Sequence, residues 1–256
     1  MKKKNTYEQP LNERIRSLLR LEYLFLGIDY RLKGPSTWDS RAVVEYLIEI
    51  FDSIERVDMK TDLRKDLEYY IYSLERWQNT PKGNTERINQ LLDKAKALLE
   101  RCEENDKPFG HELVQHPLIN GVRQRITIAG GTCGCDLPSY HHWLQKTPKQ
   151  RQLELNNWLA TLAPLREAID LSLYMIRNNA VTSQETAEAG FFQSTLDSNI
   201  AYQLVQVNLP LEHPCYPEIS GGKQRVTIRF FEQNDIGERP LPTEQNIHFE
   251  LCCCMM

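Results

Sequence analysis

Four stretches within the first hundred residues repeat apolar side chains at alternating steps of three and four. From Pro10 to about Tyr30, Leu11, Ile15, Leu18 and Phe25 form such a stripe, widened by Leu19, Tyr23 and Leu26 and interrupted by Glu22. This is the period of an α-helix with one face buried. Gly34-Pro35 ends that element, and Ser36 with Asp39 three residues later offers an N-cap for a second helix carrying Val43, Leu47, Ile50 and Ile54. A third helix after Thr61 carries Leu63, Leu67, Tyr70, Leu74 and Trp77, and a fourth, after the turn "TPKGN", carries Ile88, Leu91, Ala95 and Leu98. Sustained spacing near three and a half predicts helices packed at shallow angles in a bundle, rather than helices laid over a sheet. Val44, Tyr46, Phe51, Tyr69 and Ile71 add apolar surface beyond a single seam, and a second copy of the chain is one way to bury the surplus.

The segment "RCEENDKPFGHELVQHPLING" is polar and rich in Pro and Gly, which predicts a connection near 105–110 and a short element ending at Pro117. The period then changes to two. "GVRQRITIAGG" alternates and stops at Gly130-Gly131, the pattern of a strand followed by a turn. "DLPSYHHWL" returns to helix, with Asp136 or Ser139 as cap. Thr147, Pro148 and Gln150 make a capping box that opens a helix bearing Leu155, Trp158 and Leu162. Pro164 breaks or kinks it, and Leu165, Ile169, Leu173 and Ile176 carry the stripe on to about Asn178. The polar "TSQETAEAG" ends the helical region, and beyond Gly190 the segments "YQLVQVNL", "KQRVTIRFF" and "NIHFEL" read as antiparallel strands. The expected class is α+β: a mainly helical, bundle-like domain from residues 1–120 and 136–180, and an antiparallel β domain from 121–135 and 181–256, interleaved in sequence.

Charge adds a second layer. With 31 basic and 35 acidic residues the formal net charge is -4, which argues against a general nucleic-acid binder and leaves room for a local basic patch. Two near-copies supply one: "RQRITI" (123–128) and "KQRVTI" (223–228). Read as strands, the first sets Arg123, Arg125 and Thr127 opposite Gln124, Ile126 and Ile128; the second sets Lys223, Arg225, Thr227 and Arg229 opposite Gln224, Val226, Ile228 and Phe230. In one sheet with a common core, five cations would share the outer face. A single arginine there would do no more than keep the surface soluble. A cluster is different, because directly opposed like charges cost roughly 0.2–1 kcal/mol, and such a patch without carboxylates implies an anionic partner. Guanidinium forks suit peptide carboxylates or phosphates.

The other chemistry is sparse. Seven scattered cysteines (Cys102, Cys133, Cys135, Cys215, Cys252, Cys253 and Cys254) are odd in number and do not form a secreted disulfide framework, so reduced thiols are expected. Cys133 and Cys135 joined to the terminal cysteines as a zinc site is the alternative, although their single-residue spacing is not the usual pair. Cys253 stands where a prenylated cysteine would, but follows the strand-like "IHFEL". His141 and His142 are adjacent, so on a helix they point about 100° apart and do not converge on one site. "GGTCGC" and "SGGK" lack phosphate-loop spacing, and no paired-carboxylate or Ser/His/Asp pattern stands out. No apolar run approaches the roughly 20 residues of a membrane span, and the basic start is not followed by the apolar stretch of a signal peptide. The expectation is a soluble cytosolic protein with no catalytic or metal site.

The blocks "PLNERIRSLLRLEYL" (10–24), "VRQRITIAGGTCGCDLPSYHHWL" (122–144), "YPEISGGKQRVTIRF" (216–230) and "FELCC" (249–253), in this order and spanning nearly the whole chain, strongly resemble the ZapD family of bacterial division proteins. The resemblance implies a cytoplasmic homodimer acting at the midcell division site, with no enzymatic activity and no cofactor. It implies that a positively charged surface binds the acidic, flexible C-terminal tail of FtsZ, and that two such surfaces bundle protofilaments, promoting Z-ring assembly and septation. Lys223, Arg225 and Arg229 match the family's basic strand block, Arg123 and Arg125 the earlier block, and Arg56 and His141 further positions. His116-Pro117 stands where some relatives carry a basic residue, and "CCMM" lengthens the ending. A nucleic-acid binder using the same patch, or a thiol or zinc enzyme built on Cys133, Cys135 and His141, are the readings in competition.

Overall fold

The computed structural model describes residues 4–56, 58–78, 85–104, 107–222, 224–233 and 237–256. The chain is α+β and divides into two compact units, Leu19–Ser172 and Met1–Leu18 with Leu173–Met256. The division falls inside two helices, α1 (Glu13–Arg31) and α9 (Ala163–Asn178).

Between them, the first unit holds α2 (Thr37–Glu55), α3 (Met59–Gln78), α4 (Thr85–Glu103), the short α5 (His111–Val114), α6 (Pro117–Arg123), α7 (Pro138–Leu144) and α8 (Pro148–Ala160). Helix α2 starts where the sequence places it. The Ser36 hydroxyl accepts from the Asp39 N–H at 3.0 Å while the Asp39 carboxylate accepts from the Ser36 N–H at 3.1 Å, pairing two donors that a helix start leaves open. Val43, Leu47, Ile50 and Ile54 are buried, as are Leu63, Leu67, Tyr70 and Leu74 of α3, while Trp77 is left exposed. The reciprocal bonds of Thr147 and Gln150 open α8. Around that turn Arg151 is buried and donates to Ser40 Oγ at 2.9 Å, to the carbonyls of Leu144 at 3.0 Å and Pro35 at 2.8 Å, and to the carbonyl of Lys146. One cation thus ties the connection before α2 to the one before α8. Tyr140, Trp143, Trp158 and His116 stack in series with centroids 5.2–5.8 Å apart.

The second unit is a pair of antiparallel sheets. One has the order β1 (Lys4–Pro10), β4 (Tyr202–Pro210), β8 (Ile247–Met255), β2 (Ala180–Ala187); the other runs β3 (Phe191–Thr195), β6 (Arg225–Glu232), β5 (Cys215–Gly221), with β7 (Leu241–Pro242) paired to β6. Val205, Val207, Leu209, Val226, Ile228, Phe230, Ile247, Phe249 and Leu251 belong to the common core. The opposite side of the first sheet carries the buried Leu204, Cys252 and Cys254, and Arg177 of α9 grips Glu8 of β1 through two bonds of 2.7 and 2.9 Å.

Four readings of the sequence are corrected. Residues 121–135 hold no strand: "GVR" closes α6, and Arg125, Ile126, Ile128, Gly131 and Cys133 each donate a backbone N–H to a carbonyl three or four residues back. Those backbone groups are spent in successive turns rather than in a ladder, and Ile128 is exposed instead of facing a core. Pro117 opens α6 rather than closing an element, and α7 is capped by neither Asp136 nor Ser139 but begins at Leu137 without a side-chain bond. The polar "TSQETA" is β2, whose partner is the buried β8.

Candidate functional site

Strand β6 is the centre of the second sheet, and its alternation follows the pleat: Val226, Ile228 and Phe230 are buried, while Arg225 and Arg229 are exposed on the other side with Thr227 between them. The register sets Thr195, Gln193 and Phe191 of β3 beside Arg225, Thr227 and Arg229, and Ser220 and Glu218 of β5 beside Thr227 and Arg229 on the opposite edge. The outer face therefore grades from polar to aromatic. At one end a shallow depression of about 540 Å³ is lined by Thr195, Ser220, Gly221, Gly222, Gln224, Arg225 and Thr227. Towards the other end the Arg229 guanidinium lies 5.7 Å from the centre of the exposed Phe191 ring, and Tyr216 stacks on Phe231 at 6.0 Å. Among the described residues neither Arg225 nor Arg229 is in an ion pair. Glu218 stands opposite Arg229 in register, so the face is not free of carboxylates as the sequence reading supposed.

Lys223 lies outside the described residues. Arg123 and Arg125 do not join Arg225 and Arg229 in a sheet, because they belong to the helical unit. Arg123 is committed there: it donates to Asp52 Oδ1 at 2.9 Å and to both oxygens of Glu55 at 2.9 and 2.5 Å. Those bonds hold the Glu55 carboxyl below its usual range against a smaller opposing effect of burial, and the two carboxylates raise Arg123 in turn. Arg125 is exposed and reaches Asp136 at 3.8 Å. His141 is exposed on α7. Arg56, the C-cap of α2, is exposed and lines a cavity of about 880 Å³ in the helical unit together with Lys60, Arg64, His111, Met59, Cys102 and Phe109.

The sequence reading missed the aromatic part of the sheet face. Phe191 and Tyr216 sit on β3 and β5, neither of which was predicted as a strand, so nothing placed their rings beside the arginines. Of the cysteines in the zinc alternative, Cys133 and Cys135 belong to the helical unit, while Cys252, Cys253 and Cys254 are built into β8. That placement also makes Cys253 part of a ladder with Val181 and Val205. No helix among the described residues is long and apolar enough to cross a membrane.

The family model described as "ZapD: Cell division protein" matches residues 19–229. Over 256 residues, all of both chains, the sequence is 38% identical to the cell division protein ZapD of Methylococcus capsulatus. It is 34% identical to the ZapD of Nitrosomonas europaea over 98% of this chain and 95% of that one. It is 37% identical to the ZapD of Shewanella baltica over 97% and 98%.

Proposed function

The chain belongs to the ZapD family of cell division proteins, and from that premise we propose that it binds the acidic C-terminal tail of FtsZ on the outer face of the β3-β6-β5 sheet and, as a homodimer, cross-links FtsZ protofilaments at the midcell division site in the cytoplasm. The observation that carries this reading is the pair Arg225 and Arg229, exposed on a rigid central strand and flanked by Phe191, Tyr216 and Phe231. Cations held among aromatic rings suit a peptide that carries carboxylates and apolar side chains together. Lys223 precedes the same strand and is proposed as the third cation. On the helical unit, Arg56, Arg125 and His141 are proposed as residues that contact FtsZ, and Arg123 as a support for α2.

Cross-linking needs two such faces. Tyr23, Leu26 and Tyr30 share one face of α1 and are 58–74% exposed, with Trp38 75% exposed at the start of α2. A second copy of the chain is the occupant we assign to this stripe, and doubling the tail site turns weak individual capture into bundling by raising the effective concentration of the second site. No cofactor or catalytic step enters the proposal.

The test is co-sedimentation of polymerised FtsZ with the Arg225→Glu/Arg229→Glu protein, beside wild type with FtsZ lacking its C-terminal tail. Loss of co-sedimentation in both arms, with unchanged circular dichroism, is the expected outcome. Undiminished bundling by the folded double variant overturns the assigned face, undiminished bundling of tailless FtsZ overturns the ligand, and retention of generic DNA or RNA at moderate salt favours the nucleic-acid reading.

A further inference from the structure

Between α6 and α7 the chain runs through "GGTCGCD", and the turn brings the Cys133 and Cys135 sulfurs to 2.8 Å. We propose that Cys133 and Cys135 are a redox-active dithiol, closed to an intrachain disulfide by exchange with a small-molecule disulfide of the glutathione class.

Geometry comes first. A disulfide bond is about 2.05 Å long, so the two sulfurs have less than an ångström to travel. The turn is already pinned on both sides by Cys133 N–H to Gly130 O at 2.9 Å and Leu137 N–H to Cys133 O at 3.0 Å. At Gly134 the turn lies close against His141: a Cβ there would stand 3.1 Å from Cγ and Nδ1 of the ring. Access is the second point, since Cys135 is exposed and Cys133 half-exposed. The remaining cysteines are different: Cys102, Cys215, Cys252 and Cys254 are buried and Cys253 is half-buried.

The two thiols are also unequal. Cys133 shares a hydrogen bond with the Cys135 sulfur and accepts from the backbone N–H groups of Asp136 and Cys135, and these, against its bond to the Asp136 carboxylate, hold it below the ordinary thiol range. Cys135 is pushed up, first by its bond to Cys133. With Cys133 as the attacking thiolate and Cys135 as the resolving thiol, the exchange runs in two steps. The Cys133 thiolate displaces one half of the small disulfide as a thiolate and becomes a mixed disulfide. Cys135 then gives up its proton, attacks the Cys133 sulfur and expels the second half. The protein pair loses two electrons and two protons, and the small disulfide takes them up as two thiols.

Asp136 brings a third donor to the cluster, within 4.8 Å of both sulfurs. Yet two thiolates on one zinc ion stand about 3.8 Å apart, by the tetrahedral geometry of Zn–S bonds, and the sulfurs here are closer. Arg125 also sets a guanidinium 3.8 Å from Asp136. Both features favour the dithiol over a metal site.

The test uses the full-length protein in glutathione buffers of graded oxidised-to-reduced ratio, quenched by alkylation and mapped by peptide mass spectrometry. Cys133 and Cys135 are expected to lose alkylation together, as a pair two hydrogens lighter, while the buried cysteines stay alkylatable after denaturation. Cys135→Ser is expected to trap one glutathione on Cys133. Full alkylation of both residues in a buffer that oxidises a thioredoxin-type dithiol overturns the proposal. So do two separate glutathione adducts on the wild-type pair, or about one zinc ion per chain in the purified protein that is lost in Cys133→Ser.

Discussion

Replacing Arg123 and Arg229 singly by alanine separates a structural arginine from one on the proposed tail site. Arg123 spans Asp52 and Glu55 on α2 from the end of α6, with its side chain about a quarter exposed and the carboxylates about half exposed. A charge-assisted hydrogen-bonded pair contributes about 1.5–3 kcal/mol where shielded and an exposed pair about 0.2–1 kcal/mol. The partial exposure here puts the loss for Arg123→Ala at about 1–2 kcal/mol. At about 2–4 °C per kcal/mol for a domain of this size, the melting temperature should fall by about 2–8 °C. The pH dependence follows from Glu55. Its carboxyl is held low in the folded protein, so the pair contributes above the unfolded value near 4.3 and the contribution is lost as pH falls through the folded value. The Arg123→Ala deficit should therefore be present at pH 7 and shrink towards pH 3. Arg229→Ala removes an exposed group stacked on Phe191 and should change stability by less than about 1 kcal/mol, while weakening binding of an FtsZ tail peptide in a fluorescence anisotropy titration. The reverse pattern, with Arg123→Ala stable but binding poorly and Arg229→Ala unstable but binding normally, would refute the reasoning.

Two other predictions rest on buried charge. Arg151→Met should cost about 3–5 kcal/mol in urea denaturation, because it strands the carbonyls of Pro35, Leu144 and Lys146 and the Ser40 hydroxyl at a buried site; a loss under 1 kcal/mol contradicts the assigned network. At Glu8, burial raises the carboxyl but the bonds from Arg177 and Gln206 and the charge of Arg177 together outweigh it, leaving the group low. Its stabilisation is present above the unfolded value and fades as pH falls, so Glu8→Gln should destabilise the protein at pH 7 and much less near pH 3, as read by denaturant midpoints at the two pH values.

The helical stripes were legible because each helix buries one face locally and announces its ends. The boxes at Ser36 and Thr147 and the break at Pro164 are written within a few residues of the structure they cause. Strands β4, β6 and β8 were legible for a related reason, since they are central or paired on both edges and carry bulky apolar residues at every second position. The missed strands are edge strands. β1, β2, β3 and β5 each pair along one of their two edges within the sheet order, and β2 reads "AVTSQETA", with Ala187 its one buried residue. What makes it a strand is the ladder offered by β8, which is far away in sequence. The proposed site inherits this limit. Its arginines were visible on β6, whereas Phe191 and Tyr216 reach the face only through pairing that no local pattern reports.

The two near-identical hexapeptides show the same contrast at its sharpest. In the second copy the residues from Arg225 onward enter a slot between β3 and β5, where both edges supply hydrogen-bond partners and the apolar half meets a core of Val205, Val207 and Phe249. "RQRITI" follows Pro117, whose fixed φ starts a helix, and that helix buries Ile119 and Val122 before Arg123 reaches Asp52 and Glu55 at its C-terminal end. A cation there satisfies both the helix terminus and two carboxylates. The next residues spend N–H groups on turns that run through Gly130, where φ is +72°. Alternation alone is thus a weak cause of strand. It becomes a strand where a sheet supplies partners on either side, and yields where a helix start and an ion pair act first. The corollary for function is that, among the described residues, Arg225 and Arg229 of β6 stand in no ion pair whereas Arg123 and Arg125 do, and the proposed capture of an acidic tail rests on that strand.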